Sequence, residues 1–161
     1  MKKNVNKIII NLNKNDDAAS KFNDKILSKE LGNYIYEQYT GFKENGLIKL
    51  IISSDEEMDS NYETQLKNMI LEYFNSNIIE LNRIHKKVYM KSILLSIIGI
   101  CLIIIAHFFN IYNDFIVSEV LMIAGWVSLW EVFDNIVFKE SKWHSKYNGF
   151  RKLIKCEIEF R

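Results

Sequence analysis

The chain has 161 residues, a formal net charge of +1 and a mean hydropathy of −0.07. That length fits one small domain, and the balanced charge leaves no global basic field to draw nucleic acid. The averages hide an asymmetry: the middle of the chain is lipid-like, whereas both ends are rich in Lys, Asn and Glu. Proline is absent, and the abundance of Asn, Ile and Lys reads as an AT-rich coding bias.

Residues 1–14 are too polar in their flanks, and Ile8–Ile10 too short, to read as a secretory signal. Residues 7–13 predict a strand carrying Ile8, Ile9, Ile10 and Leu12, ended by Asn13-Lys14-Asn15-Asp16-Asp17. A helix is expected over 28–38, where Leu27, Leu31, Tyr34 and Ile35 recur at helical spacing and Ser28 can cap the start. Gly41 and Gly46 bracket a loop. Residues 47–53 predict a second strand, whose nearly continuous apolar run is the pattern of a strand covered on both faces. Ser60-Asn61-Tyr62-Glu63 has the form of a capping box. It opens a long helix with Leu66, Met69, Ile70, Tyr73, Phe74, Ile78, Leu81, Ile84 and Val88 on one broad face.

Nothing breaks that helix before Lys91, so it is expected to run straight into the apolar stretch 92–109. At about 1.5 Å per residue such a stretch spans the hydrocarbon core of a bilayer. A second apolar stretch, 115–133, comes after the short break 110–114 and makes the pair a helical hairpin. Beyond it, Ile136, Val137, Trp143, Tyr147 and Phe150 predict a third amphipathic helix. In 155–160 Cys156, Ile158 and Phe160 alternate with charged residues, as in a strand with one buried face. The expected fold is an α-helical membrane hairpin of two transmembrane helices with a small cytosolic α/β domain built from both termini. Its parts are a cytosolic α/β segment with the long helix (1–87), the hairpin (88–138), and a basic amphipathic helix with a terminal strand (139–161). Lys and Arg are plentiful on both sides of the hairpin and absent from 110–114, a distribution that predicts both termini on the cytoplasmic side of the membrane.

Folding the hairpin about Tyr112 sets Gly99 opposite Gly125 and Ser96 opposite Ser128. Ser92, Ser96, Gly99 and Ala106 share one face of the first span, and Ser118, Gly125 and Ser128 nearly share one face of the second. Small residues let backbones approach in lipid, so these positions are the expected helix-helix contact, with Gly99 and Gly125 at the crossing. The same folding brings His107 near Glu119 at the outer end, and Lys91 near Glu131 and Asp134 at the inner end. Acids at membrane depth are candidate functional residues by their cost alone; the alternative is that Glu131 and Asp134 are wetted interfacial acids tied to Lys91, Lys87 or Arg83, and Glu119 an interface residue. Phe108, Phe109, Tyr112 and Phe115 form an expected outer aromatic belt, and Tyr89, Trp130 and Trp143 an inner one. Lys139, Lys142, Lys146, Arg151 and Lys152 suit anionic headgroups.

Chemistry is harder to find. There is no Gly-rich phosphate loop and no nucleophile elbow. His85, His107 and His144 lack a neighbouring His or Cys at ligand spacing, so no metal site is expected. Asp16-Asp17 and Asp55-Glu56-Glu57 with Asp59 would meet at one sheet edge if the first two strands are parallel. Such acids also suit a solvated loop before a helix N-terminus. Cys101 and Cys156 lie in different segments and are expected to be free thiols.

The segment Ala124-Gly125-Trp126-Val127-Ser128-Leu129-Trp130-Glu131 resembles a Gly-Trp-x-x-x-Trp-Glu signature found in small uncharacterised bacterial membrane proteins with two spans. Leu27-Ser28-Lys29-Glu30-Leu31-Gly32-Asn33-Tyr34-Ile35 is similar to their cytosolic helix pattern. The resemblance implies no activity, but it marks Trp126, Trp130 and Glu131 as a unit. The expected function is that of a non-enzymatic membrane protein without a cofactor. Its cytosolic domain would bind a protein partner or sense a signal, with the hairpin as anchor and homo-oligomerisation device. The alternative is a homo-oligomeric ion-conducting pore or a membrane-disrupting effector. A pore would turn Ser96, Ser128, Glu131 or Asp134 inward.

Overall fold

In the computed structural model, residues 5–12, 15–42, 46–55, 58–111 and 115–161 are described. The protein is mostly helical, with a small sheet and two long apolar helices. It divides into two compact units, Met1–Glu80 with Lys146–Arg161, and Leu81–Ser145.

The first unit starts with β1 (Val5–Leu12), in which Ile8, Ile10 and Leu12 are buried and the alternate residues are not. Next comes a short hairpin, β2 (Ala19–Ser20) and β3 (Asn23–Leu27), paired antiparallel. Residue spacing does not predict it and sets Leu27 on the helix; Leu27 instead ends β3 and is buried. Helix α1 (Lys29–Thr40) is capped by Ser28, whose hydroxyl oxygen accepts from the Leu31 amide at 3.2 Å. Strand β4 (Leu47–Ser54) then pairs parallel to β1.

Helix α2 (Ser60–Ile111) opens one residue earlier than the capping-box pattern implies. The Glu63 amide donates to the Asp59 carbonyl at 3.0 Å, which makes Asp59 the cap. The Asp59 carboxylate accepts from the Ser60 hydroxyl and the Asn61 amide. At the far end of the chain α4 (Glu140–Ile154) leads into β5 (Glu157–Phe160), which pairs parallel to β4. Both ends of the chain therefore share one three-stranded parallel sheet in the order β1-β4-β5.

The core of this unit lies on one side of the sheet. Ile8, Ile10, Leu50 and Ile52 face Ile35 of α1, Leu66, Ile70 and Phe74 of α2, and Leu153 of α4, all of them buried. Phe150 joins the three helices: its ring lies 4.6 Å from Tyr36 and 5.8 Å from Phe74. Two glycines permit the close approach. A β-carbon at Gly32 would lie 2.3 Å from the Tyr73 ring, and one at Gly149 would lie 2.9 Å from Tyr39. On the opposite face Ile9 and Leu47 are more than half exposed. The apolar run of β4 is covered on both faces only in its middle, where Leu50, Ile51 and Ile52 are buried in succession.

The second unit holds the rest of α2, then α3 (Phe115–Asp134), a π-helical turn (Asn135–Lys139) and the start of α4. Tyr112, the expected apex, lies outside the described residues. The inward face of α2 passes through Leu81, His85, Val88, Ser92, Ser96, Gly99 and Ala106. Ile84, expected on that face, is exposed instead. A seam that keeps facing one partner repeats every ~3.5 residues, so a 3.6-residue extrapolation drifts off it. The π turn has a similar effect on the last helix. Its extra residue rotates the turn and the helix beyond it, leaving Ile136 and Val137 exposed while Phe150 is buried.

Candidate functional site

The candidate site is the seam between α2 and α3, whose buried residues are small or polar. Among the described residues the hairpin buries Ser92, Gly99, Ala106, Ser118, Gly125 and Asn135. At its centre the structure brings Gly99 and Gly125 together. A β-carbon on Gly125 would lie 2.7 Å from Ile103 Cγ1 and 2.9 Å from the Gly99 carbonyl oxygen. One on Gly99 would lie 3.0 Å from the Gly125 carbonyl oxygen. At Gly125 only hydrogen fits without a shift of backbone, whereas at Gly99 a β-carbon would need its neighbours to give by a few tenths of an ångström.

Toward the outer end the Ser118 hydroxyl donates to the Ala106 carbonyl at 2.8 Å, a bond between the two helices. Ser96 and Ser128 are not joined to one another. Each hydroxyl donates back along its own helix, Ser96 to Ser92 and Ser128 to Ala124, both at 2.9 Å. His107 and Glu119 are exposed, and no ion pair joins them among the described residues.

The inner end carries more polar chemistry. Lys91 Nζ meets Glu131 Oε1 at 2.8 Å, with both side chains substantially exposed. Asp134 is exposed and makes no ion pair among the described residues. Asn135 is a site residue that residue spacing does not reveal. Its side-chain amide donates to the Ser92 hydroxyl at 3.0 Å, and its carbonyl oxygen accepts from Lys139. It opens the π turn, where the helical ladder is already irregular. The only sequence signal for it is a lone Asn among apolar residues at the end of the second span.

Below this, Glu140 is hydrogen-bonded to His85 Nε2 at 2.9 Å and lies 3.4 Å from His144 Nε2. The His85 ring stacks on Trp143 with centroids 4.2 Å apart. Trp143 thus packs inward and does not join an exposed aromatic belt with Tyr89 and Trp130, which are 59 % and 70 % exposed. Trp126 also points outward. Of the four fixed signature positions, Gly125 meets α2 at Gly99 and Glu131 meets it through Lys91, while Trp126 and Trp130 are exposed.

In the first unit, Asp55 comes after β4 beside the end of β1, its amide donating to the Leu12 carbonyl. Glu56 and Glu57 lie outside the described residues. Among the described residues no cluster of His, Cys, Asp or Glu is arranged to hold a metal ion. Lys49 bridges Glu159 at 2.7 Å and Glu157 at 3.3 Å. Hydrogen bonding from Lys49, then from Arg161, holds the Glu159 carboxyl below the usual range. Bonding to Glu159 and Glu157 raises the Lys49 ammonium. Burial pushes the Cys156 thiol up to about 11, so it is protonated at neutral pH and a poor nucleophile. Cys101 is a free, exposed thiol on α2.

Protein-family models, curated proteins and solved structures give no match to this chain.

Proposed function

We propose that the chain is an integral membrane protein of the bacterial inner membrane, anchored by the α2–α3 hairpin with both termini in the cytoplasm. Its α/β unit binds a protein partner there and carries no catalytic function. The observation that carries this reading is the inverted packing of the hairpin. Gly, Ser, Ala and Asn are inside, and Ile97, Ile104, Val120, Ile123 and Trp126 are outside. A helix pair in water would bury such large apolar side chains. In lipid the tails solvate the large apolar side chains, and small residues allow the helices to pack. The apolar segments of the two helices are long enough to cross, and only 17 % and 11 % of them are buried within the protein.

The same geometry supports an anchor over a pore. Ser118 and Asn135 are spent within the hairpin, Ser96 and Ser128 on their own helices, and Glu131 on Lys91 of the same chain. The exposed Lys142 and Lys146 on α4, with Lys139 before it, suit anionic headgroups at the cytoplasmic surface.

The test is flotation of the full chain with phosphatidylglycerol-containing vesicles after an alkaline carbonate wash. Retention in the floated fraction, with both termini cleaved by a protease added from one side, is the expected result. Release by the wash, or termini on opposite sides, would overturn the reading.

A further inference from the structure

Along the second span the inward residues recur in steps of three and four. Ser118, Leu121, Gly125, Ser128, Val132 and Asn135 are buried or half-buried in that rhythm, which is the ~3.5-residue repeat of a helix that keeps facing one partner. The next steps would fall on 139, 142 and 146, and all three are lysines. Those lysines are exposed. Glu140, Trp143, Tyr147 and Phe150 are buried or half-buried in their place, the same rhythm displaced by one residue.

The displacement falls at the π turn, Asn135–Lys139, which holds one residue more than a turn of α-helix. One residue is worth roughly 100° of rotation about an α-helix, enough to exchange the seam for a flank. Glu140 and Trp143 thereby reach His85 of α2, the first by a hydrogen bond of 2.9 Å and the second by a ring stack at 4.2 Å. An unbroken helix would carry the three ammonium groups into the seam instead, where burial of charge is costly.

Turned outward, the lysines make one row. It extends about 10 Å along the helix at ~1.5 Å per residue. Lys139 is the first cation after the second apolar stretch. It donates to the neutral side-chain amide of Asn135, and no ion pair among the described residues takes Lys139, Lys142 or Lys146. Of the nearby acids, Glu131 is held by Lys91 and Glu140 by His85.

We propose that the π turn is a phase-setting device. It absorbs one residue so that Lys139, Lys142 and Lys146 stand as a single row for the phosphates of anionic lipid headgroups, while Glu140 and Trp143 pack on α2. The row starts where the apolar stretch ends, the level at which headgroups lie, and cations placed there are attracted to an anionic leaflet. The inference rests on the membrane reading above and deepens it, by naming what selects the lipid-facing side of the last helix.

The test uses the full chain in nanodiscs of phosphatidylcholine, with or without phosphatidylglycerol. A water-soluble amine-acylating reagent is added, and mass spectrometry reads the rate at each lysine. Phosphatidylglycerol is expected to slow Lys139, Lys142 and Lys146 about fivefold, because headgroups cover the amines, and added salt is expected to restore the rates. Inorganic phosphate added to phosphatidylcholine discs is expected to leave them unchanged. An alanine inserted after Val137 carries the lysines one position on, into the seam, and is expected to slow all three in both lipids. Deletion of Val137 is expected to keep the parent rates, because an unbroken α-helix then brings Glu140 and Trp143 to the same side. Equal rates with and without phosphatidylglycerol would overturn the proposal, as would equal protection by inorganic phosphate, an insertion variant labelled like the parent, or a deletion variant with occluded lysines. If the insertion variant does not fold, the deletion variant still reads the phase. A chain that floats after the carbonate wash but whose lysines ignore phosphatidylglycerol loses this inference alone; a chain released by the wash loses both.

Discussion

The two units solve opposite packing problems with the same helix. In its first turns α2 buries Leu66, Ile70 and Phe74. Farther along it buries Ser92, Gly99 and Ala106 and exposes most of its isoleucines. The first arrangement is held by removing large apolar surface from water. The second gains little from that source once its surroundings are apolar, and relies on close backbone contact and a few hydrogen bonds. Under the proposed membrane reading, the meaning of a buried residue changes with solvent along one element.

The largest expected effect lies in the first unit. Phe74→Ala removes a fully buried ring that packs on Tyr73 and Phe150, and should cost about 3–5 kcal/mol. Chemical denaturation followed by far-ultraviolet dichroism measures it. If Ile104→Ala, exposed on the hairpin, costs as much in detergent, the contrast between the units fails.

Next is Gly125→Leu. The added side chain meets Ile103 and the Gly99 backbone, and overpacking of this kind costs about 1–3 kcal/mol. A lowered melting temperature in detergent is expected, and a melt identical to the parent would show that the glycine contact is not formed. Asn135→Leu should be milder, about 0.6 kcal/mol, the average of a polar contact between helices in lipid. A much larger loss would mean that the Ser92–Asn135–Lys139 chain holds the π turn itself.

The smallest effect is a pH dependence at the sheet. Glu159 titrates below its unfolded value in the native protein, so the unfolded chain binds the proton first. Its contribution is present at neutral pH and is lost as pH falls through the lowered native value. Lys49 is raised, so its share is present below the ordinary lysine range and lost as pH rises through the native value. Lys49→Met should flatten the acid side of the stability profile; an unchanged slope would assign Glu159 to Arg161 alone.

Residue spacing makes the hairpin seam readable because two antiparallel helices of equal rise keep opposite residues at constant depth. That arithmetic puts Gly99 against Gly125 and Lys91 near Glu131, and both pairs meet. It does not separate Glu131 from Asp134, since a single turn of helix decides which one reaches Lys91. Asn135 is not legible, because a π turn has no residue signature and its extra residue also displaces Ile136 and Val137 from the expected face. The β2–β3 hairpin escapes for a different reason: its Lys21-Phe22 turn lacks glycine and its strands bury little beyond Leu27. That the helices pack on one side of the sheet requires the strand order, which no local pattern contains.

That strand order also sets a sequence of events in synthesis. The partner of the β4 edge is β5, and the whole α2–α3 hairpin lies between them in the chain. A ribosome delivers β1 and β4 early, and they can pair while the apolar helices are still being made. Strand β5 leaves the ribosome only after both helices have passed. The sheet is therefore finished last, and until then β4 presents an open, apolar edge of the kind that quality-control proteases and chaperones recognise. A chain stalled before the second helix is completed would carry that edge, and pulse-chase sampling of truncated nascent chains would find it as a protease-sensitive species.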